Sequence, residues 1–245
     1  MPRVRVNGIS IYYEVFGSGK PLIFIPGFST DITRYSWIIG RLSKRRKVIA
    51  IDNRGSGRTD KPDTAYTVDT MADDVSALMK KLVAGGADVL GFSMGGSIAI
   101  DLAIRHPGQV KRMVLISTLA ESIPESLPLR FIRMLLRIPI IGRIGTRHSQ
   151  PYYSSVRQLE ALKKFDATKN LYKIRSPTLI LHGKRDSIVP HRMATNMHSG
   201  IRNSRIITLD EGHMMIFFRH GRLAREVLAF LEGSANMPDG HESHR

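Results

Sequence analysis

The sequence predicts an α/β fold, with a mainly parallel central sheet flanked by helices. Two observations lead to this prediction. Short apolar runs, such as Pro21–Ile25 and Lys47–Ile51, alternate along the chain with longer stretches that have helical spacing. Strands that are apolar throughout are typical of a parallel sheet with both faces covered. A chain of 245 residues is long enough to bury one such core and to carry an insertion.

The first two predicted strands form a hairpin. Arg3–Val6 and Ile9–Phe16 each alternate between apolar and polar residues. They meet at Asn7-Gly8, a dipeptide that favours the tight turn of a hairpin because both residues tolerate a positive φ. We therefore expect an antiparallel pair ahead of the first buried strand.

The remaining core elements follow in alternation. Predicted helices cover residues 36–42, 66–83 and 219–231, and predicted strands cover 87–90, 111–116, 177–183 and 204–209. Residues 119–169 break this order and are expected to form a small helical lid. The core is then expected to comprise residues 1–118 and 170–233. The polar tail, residues 234–245, is expected to be disordered.

The composition excludes several classes of site. The chain has no cysteine, so neither disulfides nor thiolate metal sites can form. Its histidines show no convincing metal-binding spacing, and we expect no metal and no cofactor. No apolar run approaches the ~20 residues of a membrane span. The N-terminus lacks the apolar core of a signal peptide, which predicts a cytoplasmic location.

The charge is strongly basic, with 37 Lys and Arg against 21 Asp and Glu, a net +16. The basic residues are dispersed and no nucleic-acid motif is present, so we expect no specific nucleic-acid partner. In the amphipathic segment 129–137, Arg130, Arg133 and Arg137 share one face. This face is expected to be either a solvated edge of the lid or a weak contact with an anionic membrane surface.

The segment Gly91-Phe92-Ser93-Met94-Gly95 connects a buried strand to a helix. A serine hydroxyl becomes a useful nucleophile when a tight strand-to-helix turn projects it clear of the backbone. Gly91 and Gly95 leave space for such a turn, and the first amides of the helix point to where negative charge develops. The motif alone is weak, because small-residue turns occur by chance. Its context favours acyl transfer at Ser93.

Four motifs in order resemble those of the α/β-hydrolase superfamily, and the resemblance covers nearly the whole chain. Gly91 to Gly96 is similar to the nucleophile elbow of that superfamily, and residues 52–59 are similar to its glycine-rich loop, which we expect to be structural here. Residues 182–186 resemble the segment that carries its acid, and residues 211–213 resemble the segment that carries its histidine.

The resemblance implies a role for each member of a catalytic triad. His213 would take the proton of Ser93 during attack and return it to the leaving group. Asp186 would fix the tautomer of His213 and stabilise its charged form. The other position at which the superfamily carries an acid holds Ser117 and Thr118, which leaves Asp186 as the candidate.

An oxyanion hole is expected from two backbone amides, those of Phe28 and Met94. Relatives commonly carry His-Gly where this chain has Pro26-Gly27. The hole needs the N–H groups of the residue after this pair and of the residue after Ser93, and neither is proline. We therefore expect the hole to be retained, with the orientation of the loop left open.

The serine at the elbow argues against haloalkane dehalogenases and most epoxide hydrolases, which use aspartate there. The resemblance implies hydrolysis of small-molecule carboxylic esters through an acyl-enzyme. A carbon–carbon bond hydrolase acting on vinylogous diketones, a lactonase, and a cofactor-free haloperoxidase or perhydrolase use the same triad and remain open. A non-catalytic scaffold is disfavoured because all three triad residues are present. The sequence does not indicate the oligomeric state.

The lid is expected to determine the choice of substrate. At about 50 residues it is short, which suggests an open or shallow acyl pocket. Its candidates for apolar lining are Phe131, Leu135, Leu136, Tyr152 and Tyr153.

Overall fold

The computed structural model describes residues 2–122, 148 and 150–233. It contains an eight-stranded sheet with flanking helices, which confirms the predicted fold class. The strands are β1 (Arg3–Val6), β2 (Ile9–Phe16), β3 (Pro21–Ile25), β4 (Lys47–Ile51), β5 (Ala87–Phe92), β6 (Val110–Ile116), β7 (Thr178–Gly183) and β8 (Ser204–Leu209). The helices are α1 (Ser36–Leu42), α2 (Val68–Leu82), α3 (Met94–Arg105), α4 (Tyr152–Lys164), α5 (His191–Gly200), α6 (Met215–Phe218) and α7 (His220–Glu232). Two 3₁₀ turns cover Ile32–Tyr35 and Thr168–Lys173.

The strand order is β1-β2-β4-β3-β5-β6-β7-β8. Strands β1 and β2 are antiparallel, and from β4 to β8 every neighbouring pair is parallel. The predicted hairpin turn is present, with a φ of 46° at Asn7 and 77° at Gly8. Because the parallel strands share one direction, the loops that follow β3, β5, β7 and β8 meet at the same edge of the sheet.

The sheet is covered by helices on both faces, which explains why its central strands are apolar throughout. One face packs against α2 and α3, with Met71, Val75 and Leu102 in the core. The other face packs against α1 and α7 through residues such as Ile38 and Val227. A rigid, buried scaffold therefore holds the loops at the edge where the strands end.

The predicted insertion begins and ends at one place in the structure. The amide of Ala167 donates a hydrogen bond of 2.7 Å to the carbonyl of Ala120, so the two ends of the segment 119–169 lie side by side between β6 and β7. Within it, α4 is the described helix. The segment 129–137, with its three arginines, and the tail 234–245 lie outside the described residues. In the described part of the chain, no helix is long and apolar enough to cross a membrane.

Candidate active site

Ser93 occupies the turn between β5 and α3 in a strained conformation, with φ 51° and ψ −121°. Residues other than glycine rarely adopt such angles. The residues that do adopt them are concentrated at functional sites. A Cβ at position 91 would collide with the carbonyl of Gly95, and one at position 95 would collide with the carbonyl of Ile25. The Thr118 hydroxyl donates to the carbonyl of Ser93 at 2.6 Å. The two glycines thus permit the turn, and Thr118 holds it.

The structure brings the three predicted triad residues into one hydrogen-bonded line. His213, in the loop after β8, places Nε2 3.1 Å from Oγ of Ser93. Its Nδ1 lies 2.8 Å from Oδ2 of Asp186, in the loop after β7. This geometry matches that of a nucleophile, a base and an orienting carboxylate.

Asp186 is 6% exposed and is held by its own loop. Its Oδ1 accepts hydrogen bonds from the amides of Ile188 at 3.0 Å and Val189 at 2.8 Å. Burial opposes ionisation of Asp186, but the hydrogen bond and the charge interaction with His213 and the amide of Val189 outweigh it and lower its pKa. An ionised carboxylate can only accept, so Nδ1 of His213 carries the proton and Nε2 faces Ser93 as an acceptor.

The amides of Phe28 and Met94 are the two groups predicted to form the oxyanion hole. Both residues line the cavity that contains Ser93. Among the described residues, neither amide donates a hydrogen bond to another part of the chain. Met94 is the first residue of α3, where helical amides have no partner within the helix. Two donors are therefore available at this point, and their role as an oxyanion hole stays a prediction.

The loop that carries Phe28 is fixed by the core, despite the Pro26-Gly27 pair. The amide of Gly27 donates to the Tyr35 hydroxyl at 3.1 Å, and Asn53 donates through Nδ2 to the carbonyl of Pro26 at 2.9 Å. Tyr35 is fully buried, and burial raises its pKa to about 12, so it stays protonated. These contacts answer the question of loop orientation that the sequence left open.

Gln158, on α4, is a further support that sequence reasoning missed. It is fully buried, and its Oε1 accepts from the amide of Ser29, the residue after Phe28, at 3.0 Å. Its Nε2 donates to the carbonyl of Arg54 at 2.7 Å and to the hydroxyl of Ser56 at 2.9 Å. The Gln158 side chain thus connects the loop that carries Phe28 to the glycine-rich loop. No motif marks an isolated glutamine in a helix, and its partners lie more than 100 residues away.

The glycine-rich loop acts as a structural support, in agreement with the prediction. Asp52 is fully buried and accepts from the amides of Ile32 and Arg58, each at 2.9 Å. Arg58 also donates to it through Nε at 3.1 Å. The loop therefore supports the start of the segment that follows Phe28.

A cavity of about 200 Å³ opens beside Ser93. Its wall is mostly apolar and includes Leu119, Leu159, Leu162 and Phe217. Arg34 stands at its rim, with its guanidinium carbon 5.6 Å from the centre of the Phe217 ring. The site therefore combines a polar reacting centre with an apolar pocket.

Tyr152 and Tyr153 are two of the candidates for the apolar lining, and the sequence left open which candidates face inward. Neither contributes to its wall, and Tyr153 instead donates from its hydroxyl to the carbonyl of Lys61 at 2.7 Å. The helical repeat of α4 turns Leu159 and Leu162 inward and leaves Tyr153 against Lys61, just after the glycine-rich loop. The other three candidates, Phe131, Leu135 and Leu136, lie outside the described residues.

His182 has the structural role that was predicted for it. It is fully buried, and its Nε2 donates to the carbonyl of Val189 at 2.9 Å. Burial lowers its pKa. Glu211, the carboxylate nearest to His213 in sequence, is paired with Arg219. Across the described ranges, no three His, Cys, Asp or Glu side chains are grouped so that they could hold a metal ion.

The chain is similar to known proteins over most of its length. A family model described as the alpha/beta hydrolase fold matches residues 20–137, and one described as TAP-like protein matches residues 155–241. The protein of Bacillus subtilis (strain 168) named AB hydrolase superfamily protein YisY is 29% identical over 238 residues, which cover 84% of this chain and 89% of that protein.

Two solved structures are each 25% identical to this chain. The esterase EaEST from Exiguobacterium antarcticum matches with a TM-score of 0.83, over 93% of this chain and 97% of its own. The meta-cleavage product hydrolase CumD from Pseudomonas fluorescens IP01 matches with a TM-score of 0.81, over 96% of this chain and 98% of its own. Overall similarity therefore does not separate these two activities.

Proposed function

Because the chain belongs to the α/β-hydrolase superfamily, we propose that it is a serine hydrolase that cleaves carboxylic esters with small or medium acyl groups. The observation that carries the proposal is the line from Ser93 through His213 to Asp186, with distances of 3.1 and 2.8 Å, at the wall of an apolar cavity. A serine is a weak nucleophile until a neighbouring base accepts its proton.

In the first half of the reaction, Oγ of Ser93 forms a bond to the carbonyl carbon of the ester while Nε2 of His213 takes the hydroxyl proton. The carbonyl oxygen becomes an oxyanion, and in this proposal the backbone N–H groups of Phe28 and Met94 donate hydrogen bonds to it. As the tetrahedral intermediate collapses, the bond to the alcohol oxygen breaks. His213 gives its proton to this oxygen, and the acyl group stays on Ser93.

In the second half, water takes the place of the alcohol. Nε2 of His213 removes a proton from the water, whose oxygen forms a bond to the acyl carbon. When the new intermediate collapses, Oγ of Ser93 leaves and recovers a proton from His213. Asp186 remains ionised in both halves and stabilises the imidazolium that forms in each.

The cavity supports small or medium acyl groups as substrates. Its volume of about 200 Å³ lies below the usual range of pockets for drug-sized ligands, ~300–1,000 Å³. Its wall contains Leu159, Leu162 and Val189, which bind an acyl chain without leaving a polar group unpaired. Long acyl chains would have to extend beyond it.

A series of p-nitrophenyl esters with increasing acyl length tests the proposal, with Ser93→Ala as the matched control. We expect kcat/KM to peak at short or medium chains, and the variant to lose at least ~10³ in turnover. Cleavage of dienone diketones without ester hydrolysis would contradict ester specificity and favour a carbon–carbon hydrolase. Lactone cleavage or peracid formation alone would favour the corresponding alternatives. No turnover of any of these substrates would favour a scaffold.

A further inference from the structure

Two aromatic side chains project from one edge of the molecule. Trp37, on α1, is 69% exposed, and Phe218, at the end of α6, is 78% exposed, the largest exposures of any large apolar side chain in the described ranges. The ring of Trp37 stacks on that of His220, with centroids 6.0 Å apart. Helix α6, which ends at Phe218, packs against α1, so the two aromatic side chains lie on neighbouring helices.

Two arginines lie beside these aromatic side chains. Arg41 follows Trp37 by one helical turn and packs close to Gly221, where an added Cβ would lie 3.6 Å from its Nε. Arg222 is the next residue along α7. Both are exposed, and within the described part of the chain neither forms an ion pair, whereas the neighbouring Arg219 is paired with Glu211. We call Trp37, Arg41, Phe218 and Arg222 the aromatic–basic edge.

The aromatic–basic edge continues into the mouth of the catalytic cavity. Phe217, which precedes Phe218, lines that cavity. Two further cavity residues, Ile188 and Met214, are 53% and 41% exposed. Of the seven large apolar side chains that are exposed in the described structure, Ile188 and Met214 line this cavity, Phe218 follows the cavity residue Phe217, and Trp37 lies on the helix that packs against α6.

We propose that the aromatic–basic edge docks on an anionic membrane surface, with the mouth of the cavity facing the lipid. Tryptophan and phenylalanine side chains that project from a surface can enter the apolar side of a lipid interface. Arginine pairs with the phosphate groups of anionic lipids, and the net charge of +16 draws the whole molecule towards such a surface.

Trp37 is the only tryptophan of the chain, so its fluorescence reports directly on this edge. The full-length protein is mixed with vesicles of phosphatidylcholine alone or with added phosphatidylglycerol, prepared with or without brominated acyl chains. We expect a blue shift and quenching by the brominated lipid with the anionic vesicles only. Salt should reverse both, because exposed charges are screened within ~10 Å at 0.1 M ionic strength.

Paired variants separate this edge from a general attraction of charge. The double variant Arg41→Gln with Arg222→Gln should weaken vesicle binding by roughly 30-fold, the factor expected for two basic residues at an anionic surface. Lys173→Gln with Arg202→Gln removes the same charge from exposed positions near the opposite ends of the strands, and should weaken it much less. Phe218→Ser should reduce binding without changing the charge.

Three results would overturn the proposal. The first is no quenching of Trp37 by anionic vesicles, and the second is an equal loss of binding in the two double variants. The third is a blue shift that depends on protein concentration without lipid, which would assign the edge to a second copy of the chain. The fluorescence readout does not depend on catalysis, so failure of ester hydrolysis would leave this proposal standing. All edge variants should hydrolyse a small soluble ester at the wild-type rate.

Discussion

Asp186 determines which nitrogen of His213 carries the proton. The lowered pKa of this carboxyl keeps it ionised. Its Oδ2 accepts from His213, and its Oδ1 accepts from the amides of Ile188 and Val189. An asparagine in its place could rotate its NH₂ group towards Nδ1, which would move the proton of His213 to Nε2 and remove the base from Ser93.

We therefore expect Asp186→Asn to lower kcat by ~10³ to 10⁴ while the fold is retained. The measurement is turnover of a soluble p-nitrophenyl ester, with circular dichroism to verify folding. Asp210→Asn is the matched control, because Asp210 is exposed, lies near His213 in sequence and pairs with Arg185 instead. Wild-type turnover of Asp186→Asn would contradict this role and would direct attention to Glu211.

The triad residues themselves could be predicted from sequence, because each one lies in a short motif whose spacing follows from its chemistry. The residues that support the site without belonging to the triad could not be predicted in this way. Tyr35 bonds Gly27 and Thr30, and Gln158 bonds Ser29, in the loop of Phe28; no sequence motif marks these pairings. Their identity follows from the packing of α4 and the Ile32–Tyr35 turn on the sheet, which no local pattern encodes.

At the scale of elements, helix α4 both lines the cavity and supports the loop that carries Phe28. Its inner face contains Ser154, Ser155 and Gln158, all buried, together with Leu159 and Leu162. Because polar side chains make up much of this face, the spacing of apolar residues does not reveal it. For this reason the sequence does not indicate that Leu159, and not Tyr153, faces the pocket.

The variant Gln158→Ala tests whether α4 supports the loop that carries Phe28. Without Gln158 the amide of Ser29 loses its hydrogen bond to the lid, while the Ser29 hydroxyl keeps its contacts with Gln150 and Ser155. A small displacement of a catalytic donor costs up to ~10²-fold in rate. We expect kcat to fall by roughly tenfold to a hundredfold with a smaller change in KM. Gln109→Ala, which removes a glutamine bonded to Ser76 on the other side of the molecule, is the control. Equal kinetics for the two variants would show that α4 does not position the loop.

Helix α3 carries a carboxyl group that ionises with difficulty. Burial of Asp101, with repulsion from Asp69 added, raises its pKa to about 6 even though Arg105 opposes the shift. In the unfolded chain this group ionises near its ordinary value of 3.8. As the pH rises from about 4 to about 6, the unfolded state loses its proton first. The folded state therefore loses stability over this range and keeps the deficit at neutral pH.

Asp101→Asn should remove this deficit. We expect the free energy of unfolding of the variant, relative to the wild type, to rise between about pH 4 and pH 6 by up to about 3 kcal/mol, since one pKa unit corresponds to about 1.4 kcal/mol. Urea unfolding over this range measures it, and Asp63→Asn at an exposed position is the control. A difference that does not vary with pH would contradict the raised pKa.

At the scale of the molecule, the fold could be predicted because each strand and turn has a short sequence pattern, and these patterns recur along the chain. Apolar runs such as Pro21–Ile25 marked buried parallel strands, and Asn7-Gly8 marked the hairpin. The net charge predicted less about binding surfaces. The value of +16 is a sum over the whole chain and does not show which basic residues are paired. The pairing of residues such as Arg54 with Asp74 and Arg46 with Asp88 is visible only in three dimensions. Only the structure distinguishes these buried pairs from Arg41 and Arg222, which form no ion pair within the described residues.

The central claim, that Ser93 is the nucleophile of an acyl-transfer site, is tested most directly by covalent trapping. Neighbouring serines make the test selective. Ser97 is buried and donates to the carbonyl of Leu119, and Ser29 is hydrogen-bonded to Ser155. Neither has a histidine within hydrogen-bond distance in the described structure.

The measurement is peptide mass spectrometry after reaction with a serine-directed fluorophosphonate. We predict one adduct, on the peptide that contains Ser93. It should be absent from Ser93→Ala and strongly slowed in His213→Ala, because attack on the phosphorus needs the same base as attack on an ester. An adduct on Ser97 or Ser29, or labelling that persists in Ser93→Ala, would contradict the claim.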